Sequence, residues 1–393
     1  MTILKMISRK IKICFLLAAL FVFFATQIAP AKVIYKDDLY KLSLQGYGMA
    51  LWSFLSGGPG NDYTLNTNRL RLETKTFYKD RLSLHLTYDL EVFTGNLVSS
   101  PFWNQLMSYR DSNYWDTSYG THISDAVFLN HNLYRAYVNW EPRFGSLTVG
   151  KQRVDWGVMR YWRPTDIFNP ESPLQIDAGE RPGVDAIYFK PQFSFTSSMD
   201  TIYAPSHNRN MDSIAGKYNF LMGDYDCSVL AGKVRNHNVA GFTFDGYIGD
   251  GGLRGEVIRI EPPFQPAYYQ WAIGSDYSFP NMLTLTGEYF YNGGAGQAPA
   301  DLFTPSPGFL QTRQKQLVSL GANYQLTPLI TSTLFTTYDI EGKSVAISPS
   351  IQYNYSQNAD LTLGATIMGG KSGGEFSPDI NPNVIYMQTK IYF

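Results

Sequence analysis

The chain has two cysteines, Cys14 and Cys227. They build no disulfide framework, and no CxxC or Cys/His pair has zinc-site spacing. No GxSxG elbow and no HExxH helix motif occurs, so the commonest serine-hydrolase and zinc-protease signatures are missing. Histidines number five: His85, His122, His131, His207 and His237. Charged residues make up 17% of the chain, against roughly 25% in ordinary soluble domains. Neither sign dominates, with 32 basic and 33 acidic residues. That balance excludes an electrostatic nucleic-acid binder. Internal repeats and low-complexity tracts are missing too. So is any apolar run of the roughly 20 residues that a membrane-spanning helix needs.

The first residues instead carry a shorter run. Lys5, Arg9, Lys10 and Lys12 form a basic stretch, and Ile13 to Phe24 is apolar. Ala29-Pro30-Ala31 then gives a small-x-small cleavage pattern. This is the form of a secretory signal over residues 1–31, with cleavage expected after Ala31. Without its four basic residues the remainder carries 28 basic against 33 acidic side chains.

What is abundant is aromatic and glycine residues: 28 Tyr, 25 Phe and 34 Gly. Mean hydropathy is only −0.20. Both fit strands that are apolar on one face, joined by many turns and girdled by aromatics. The clearest strand runs from Arg81 to Val92. Leu82, Leu84, Leu86, Tyr88, Leu90 and Val92 point one way, and Ser83, His85, Thr87, Asp89 and Glu91 the other. Before it, Leu70, Leu72, Thr74 and Thr76 oppose Arg69, Arg71, Glu73 and Lys75. The final stretch alternates up to Phe393, with Ile385, Met387, Thr389 and Ile391 on one face and Tyr386, Gln388, Lys390 and Tyr392 on the other. Such a strand ending on an aromatic residue resembles the C-terminal signal read by the assembly machinery of Gram-negative outer-membrane barrels.

Eighteen such segments can be placed, at 41–53, 66–79, 81–94, 131–141, 145–152, 181–190, 192–203, 213–221, 224–234, 238–246, 252–260, 269–279, 282–293, 312–325, 328–340, 345–356, 359–369 and 384–393. Lengths near ten suit a tilted strand crossing a bilayer. The connections largely alternate short and long, as they do in such barrels. The fold expected is all-β: one transmembrane antiparallel β-barrel over residues 32–393, with eighteen strands, or sixteen as the alternative count. The stretch 235–253 is the least regular. Residues 32–40 leave no room for a plug domain ahead of the first strand.

The densest group of functional side chains is Gly150-Lys-Gln-Arg-Val-Asp-Trp-Gly-Val-Met-Arg-Tyr-Trp-Arg-Pro-Thr-Asp-Ile-Phe-Asn-Pro170, followed by Arg181-Pro-Gly-Val-Asp185. Arg153, Asp155, Arg160, Arg163, Asp166, Arg181 and Asp185 put opposed charges close together. In a lumen, that arrangement sets a transverse field at a constriction. Trp156, Tyr161, Trp162 and Phe168 could hold such a loop against the inner wall. The bland alternative is a loop merely stapled to the barrel. The stretch resembles the "GRQ…WG…R…NPTD-(apolar)-FNP" signature of porin-like outer-membrane barrels of the DUF1302 and alginate-export type. It departs at Lys151, where Arg is usual, and at Arg163, where Asn is expected. The resemblance implies an outer-membrane channel for small or polymeric anionic solutes.

Further inward charges expected are Arg69, Arg71, Glu73, Asp89, Glu91, Arg135, Arg313 and Lys315, with Lys75, Arg254, Glu256, Glu288 and Lys390. Two readings of these charges stay open: a basic ladder that begins at Arg69 and Arg71 and faces Arg313 and Lys315, or a set of polar groups that only keeps a lumen wet. The loop holding His122 and His131 shows no metal-ligand spacing. The function expected is passive diffusion of small hydrophilic solutes, anionic ones included. The alternatives are export of an acidic polysaccharide and a surface-binding barrel with a closed lumen. No catalytic group, metal or cofactor is expected. Partners would be outer-membrane lipid, the assembly machinery reading the strand that ends at Phe393, small solutes and no nucleic acid. A homo-oligomer stays open.

Overall fold

A computed structural model describes residues 32–57, 62–108, 114–170, 172–176, 183–296, 309 and 312–393. The expected signal segment 1–31 and Arg181 lie outside the described residues. In chain order the elements are β1 (Lys32–Lys36), β2 (Tyr40–Ser56), β3 (Tyr63–Tyr78), β4 (Leu82–Thr94), α1 (Pro101–Ser108), β5 (Ser118–Ser124), β6 (Val127–Trp140), β7 (Gly145–Gln152), β8 (Val184–Ser194), β9 (Ser197–Ala204) and β10 (Ser213–Met222). They continue with β11 (Tyr225–Val234), β12 (His237–Ile248), β13 (Gly251–Glu261), β14 (Tyr268–Ser278), β15 (Leu283–Asn292), β16 (Gln316–Thr327), β17 (Ile330–Asp339), β18 (Ser344–Ser356), β19 (Ala359–Gly370) and β20 (Asn383–Tyr392).

All pairings are antiparallel; strands pair with their chain neighbours except that β4 pairs with β6 past β5, and β20 closes on β2 from Tyr47↔Tyr392 to Ser56↔Asn383. Gly46 and Phe393 extend that seam by exchanging two backbone hydrogen bonds of 2.9 and 3.0 Å. Eighteen strands form the closed ring; β1 and β5 lie outside it. β1 pairs with the start of β2. β5 takes the edge of β6 from Asn132 to Val127, above the stretch where β6 meets β7. Closure leaves no free edge in the ring, which is what a sheet crossing a bilayer requires.

Burial runs opposite to that of a soluble sandwich. On β4 the apolar residues Leu82, Leu84, Leu86 and Tyr88 are exposed, while Asp89 and Glu91 are buried at 1% and 8%. The outward belt continues through Leu285, Leu320, Ile351, Ile367 and Ile385. An apolar exterior on a closed barrel belongs in hydrocarbon. Tight turns line one rim. Lys79 and Asp80, with φ of 50° and 53°, turn β3 into β4 in the left-handed geometry of a two-residue hairpin. The other rim carries the long connections, as the extracellular rim of such barrels does. Arg235 and Asn236 (φ 47° and 66°) make a tight turn there.

Two expectations of extent are corrected. β16 begins at Gln316 rather than 312, because Arg313, Gln314 and Lys315 give their N–H groups to Glu375 and Glu341 instead of a neighbouring strand. The stretch between β4 and β6 is not one plain loop. α1 packs Trp103 against Phe93 and Phe128 at 5.2 and 5.4 Å, with Leu97 and Val98 beneath. His131 belongs to β6, where its ring meets the Tyr88 hydroxyl.

Candidate functional site

Past Gln152 the chain leaves the wall of the barrel and turns into it. From Arg153 to Trp156 it keeps a two-residue alternation. Val154 and Trp156 are each 1% exposed, whereas Arg153 and Asp155 remain exposed. The buried side continues through Met159, Trp162, Thr165, Ile167 and Phe168. It rests on inward residues of the strands beneath. Val154, Trp156, Ile167 and Phe168 pack with Ala186, Ile202, Ala215, Leu230, Ile258 and Ile260. Met159 and Trp162 pack with Ala272, Phe290, Leu317 and Phe335. Trp162 stacks on Phe290 at 5.4 Å and 13°, and Tyr161 lies over Phe335 at 4.5 Å. The sequence packs this side of the barrel interior as a dry core, unlike the polar lumen of an open pore.

Two buried carboxylates fix the loop's backbone. Glu256 of β13 accepts from the N–H groups of Val158, Met159 (2.8 Å) and Thr165 (2.9 Å), and from the Thr165 hydroxyl (2.7 Å). Glu288 of β15 accepts from the N–H groups of Arg160 (2.6 Å), Tyr161 (3.0 Å) and Trp162 (3.1 Å). A carboxylate ringed by donors satisfies buried N–H groups that would otherwise each cost about 1–3 kcal/mol. Lys217 reaches the Trp156 carbonyl at 2.8 Å, and the Trp162 indole N–H donates to Ser319 at 2.8 Å. The loop thus lies across the inner face from β8 to β17. Gly157 lets it sit that close. A Cβ there would stand 2.8 Å from Cβ of Arg163 and 3.1 Å from the Glu256 carboxylate.

The face turned away from this wall carries the charges. Arg153 pairs with Asp155 at 2.7 Å, and Arg163 approaches the same carboxylate at 3.7 Å. Arg163 also donates to the Met159 carbonyl at 2.6 Å. Arg160 is more exposed and stands 4.0 Å from Asp276, which together with Asp245 also holds Arg254. Arg153, Asp155, Arg160 and Arg163 are therefore brought together on one face of the loop. Trp156, Asp166 and Asp185 are not on that face. Trp156 and Asp166 are 1% exposed within the packed side, and Asp185 is 4% exposed at the root of the loop. Asp185 accepts the Trp115 N–H at 2.7 Å, and Lys151, opposite it in register, donates to Thr117 at 2.7 Å. The segment 114–117 therefore straps the point where β7 and β8 give way to the loop, and Tyr114 continues it onto His207 at 5.4 Å.

On the wall of β3, β4 and β6 the charges occur as pairs. Arg71 binds Asp89 through two nitrogens at 2.6 and 2.5 Å and lies over the Tyr134 ring at 4.2 Å. Arg69 binds Glu91 at 2.8 Å, and Glu91 also accepts from Asn130 at 2.9 Å. Glu73 accepts from Gln45 at 2.7 Å, and Arg135 stands 5.6 Å from the Tyr134 ring. Arg313 and Lys315 are exposed loop residues before β16, so the ladder expected between them and Arg69 and Arg71 does not form along strands. Among the described residues no group of three or more His, Cys, Asp or Glu is placed to hold a metal ion. Glu256 and Glu288 were readable as inward acids from alternation. Their task was not, because it depends on a loop about 100 residues away in sequence.

No known protein family matches the chain by sequence, and no curated protein does. Solved structures do match. The outer membrane protein OprD from Pseudomonas aeruginosa aligns over 93% of this chain and 97% of its own, at 9% identity and a TM-score of 0.55. An anion-selective porin from Comamonas acidovorans covers 90% of this chain and 100% of its own at 11% identity and a TM-score of 0.45. The outer membrane channel DcaP of Acinetobacter baumannii covers 92% and 99% at 12% identity and a TM-score of 0.45. The first of these shows the fold. With its apolar outer belt, the chain is a closed eighteen-stranded β-barrel suited to hydrocarbon.

Proposed function

We propose that the protein is a channel for passive diffusion of small hydrophilic solutes, with anions favoured at its narrowest part. The observation that carries this reading is the inward loop from Arg153 to Phe168, pinned by Glu256 and Glu288 with Arg153, Asp155, Arg160 and Arg163 on its solvent side. Arg153, Arg160, Arg163 and the adjoining Arg254 against Asp155, Asp245 and Asp276 leave a small positive balance. Fixed charges in a confined aqueous path order water and select among ions. The packed side of the loop fills the interior along β8 to β19, which displaces the aqueous path toward the charged face. The barrel sits in outer-membrane lipid, with β20 up to Phe393 as the strand its assembly machinery reads and residues 1–31 as its export signal.

The motif from Gly150 to Pro170 supports a second reading, kinship with DUF1302-type and alginate-export-like barrels and passage of an acidic polymer. A polymer needs a continuous row of unneutralised arginines. Asp89 and Glu91 interrupt that row at Arg71 and Arg69, so small solutes are preferred.

Planar-bilayer recording tests the reading. A unit charge about 8 Å from an ion in water contributes about 0.5 kcal/mol, a factor of about 2 in relative permeability. Replacing Arg153, Arg160 and Arg163 together by Gln should therefore lower the chloride-to-potassium permeability ratio by roughly five- to tenfold at low salt. Absence of any conductance from folded, heat-modifiable barrel would overturn the channel. An unchanged ratio in the triple variant would remove the loop face as its selective element.

A further inference from the structure

The connection between β19 and β20 also folds inward. Phe376 is fully buried and packs in the same cluster as Met159, Trp162 and Leu174 of the inward loop and Phe335 and Met368 of the wall. Beside it, Glu375 is 1% exposed. One of its carboxylate oxygens accepts the N–H groups of Arg313 and Gln314 at 2.5 and 3.0 Å. The other has no hydrogen-bond partner. The backbone N–H of Glu375 donates to Asp339 at 2.9 Å, so a second buried carboxylate stands next to the first. Asp339 is satisfied by Ser344 and the Gly342 N–H. Asn381 closes the loop onto the Glu375 carbonyl at 2.7 Å.

We infer that residues 371–382 form a pH-sensitive latch, seated by Glu375 and Phe376, that holds the inward loop in place when Glu375 is protonated and loosens when it ionises. The charged groups acting on Glu375 are Asp339 of β17 and Arg313 of the loop before β16. Glu341 and Lys343 lie on the β17–β18 turn, Lys315 on the loop before β16, and Lys371 and Asp379 on its own loop. Burial raises the Glu375 carboxyl most, the neighbouring Asp339 raises it further, and the two N–H groups and Arg313 oppose this. The outcome is a carboxyl pushed up to about 7. The sign follows from linkage. A carboxyl with a raised pKa when docked binds its proton more tightly in the docked state. Docking is then strongest below the ordinary carboxylate range and weakens as pH rises through about 7. Phe376 transmits the change, because its departure opens the cluster that also holds Trp162.

Hydrogen exchange of the refolded barrel in detergent tests this without reference to conduction. With intrinsic rates corrected, protection of 372–381 should fall about 30-fold between pH 5.5 and 8, and peptides covering 159–168 should follow the same profile. Glu375→Gln keeps an acceptor but does not titrate, so its protection should be flat across that range while heat-modifiability shows the barrel intact. A flat profile in the natural protein, or an unchanged slope in Glu375→Gln, overturns the latch. A response confined to 372–381 overturns its coupling to the inward loop.

Discussion

At the scale of single residues the inward loop depends on one missing side chain. Gly157 lies between the Arg163 stem and the Glu256 carboxylate, and neither can retreat freely. Glu256 is held by four donors, and Arg163 is tied to the Met159 carbonyl. Gly157→Val should therefore lift the loop rather than be absorbed, at a cost of about 1–3 kcal/mol as in other overpacked interiors. Chymotrypsin digestion of the folded barrel would show it, as faster cleavage at Trp156, Trp162 and Phe168. Gly287→Ala is the control, because its new methyl would meet only Leu320 at 3.6 Å, an ordinary contact. Equal cleavage rates for both variants would mean that the loop tolerates the methyls, and the close approach would then not matter.

At the scale of elements, Glu256 and Glu288 convert a long connection into part of the barrel's interior. Glu256→Ala removes the acceptor for four donors at once, three of them backbone N–H groups of the loop. With about 1–3 kcal/mol for each buried donor left unsatisfied, the loss is on the order of 3–5 kcal/mol, drawn from loop docking rather than from the ring of strands, whose ladder bonds are untouched. The expected result is a normally folded barrel with higher and noisier single-channel current. A variant that no longer folds would instead make Glu256 part of the ring's own stability. This division also explains what was legible in sequence. Most of the eighteen ring strands announce themselves through alternation, because lipid and interior impose opposite demands on successive residues, with β12 in the irregular stretch 235–253 the weakest. β5 and α1 were not legible, since neither faces lipid and each is defined by partners elsewhere: Asn130 and Asn132 for β5, Phe93 and Phe128 for α1. The motif from Gly150 to Pro170 was legible as a group, but its division into faces was not. The aromatic residues Trp156, Tyr161, Trp162 and Phe168 do lie against the wall as their type suggested, whereas Asp166 reads like the other charges and only the packing shows that it is buried.

At the scale of the whole molecule, charge is arranged in pairs rather than in fields of one sign. Arg71 pairs with Asp89 and Arg69 with Glu91, while Arg254 is held between two carboxylates, Asp245 and Asp276. On the proposed reading, the selective surplus lies on the solvent face of the inward loop. Selectivity from so local a surplus must be easily screened. The Debye length is about 10 Å at 0.1 M salt and about 3 Å at 1 M. At the lower concentration an ion passing the loop still senses Arg153, Arg160 and Arg163 together. At the higher one it senses only the side chain it is touching. The chloride-to-potassium permeability ratio, taken from reversal potentials across a threefold salt gradient, should therefore lie clearly above one near 0.1 M and approach the bulk mobility ratio near 1 M. A preference that persists at 1 M would require direct anion coordination instead, with dehydrated contacts to the arginines. A cation preference at low salt would mean that the acids around Arg254, not the loop arginines, govern the narrowest part of the path.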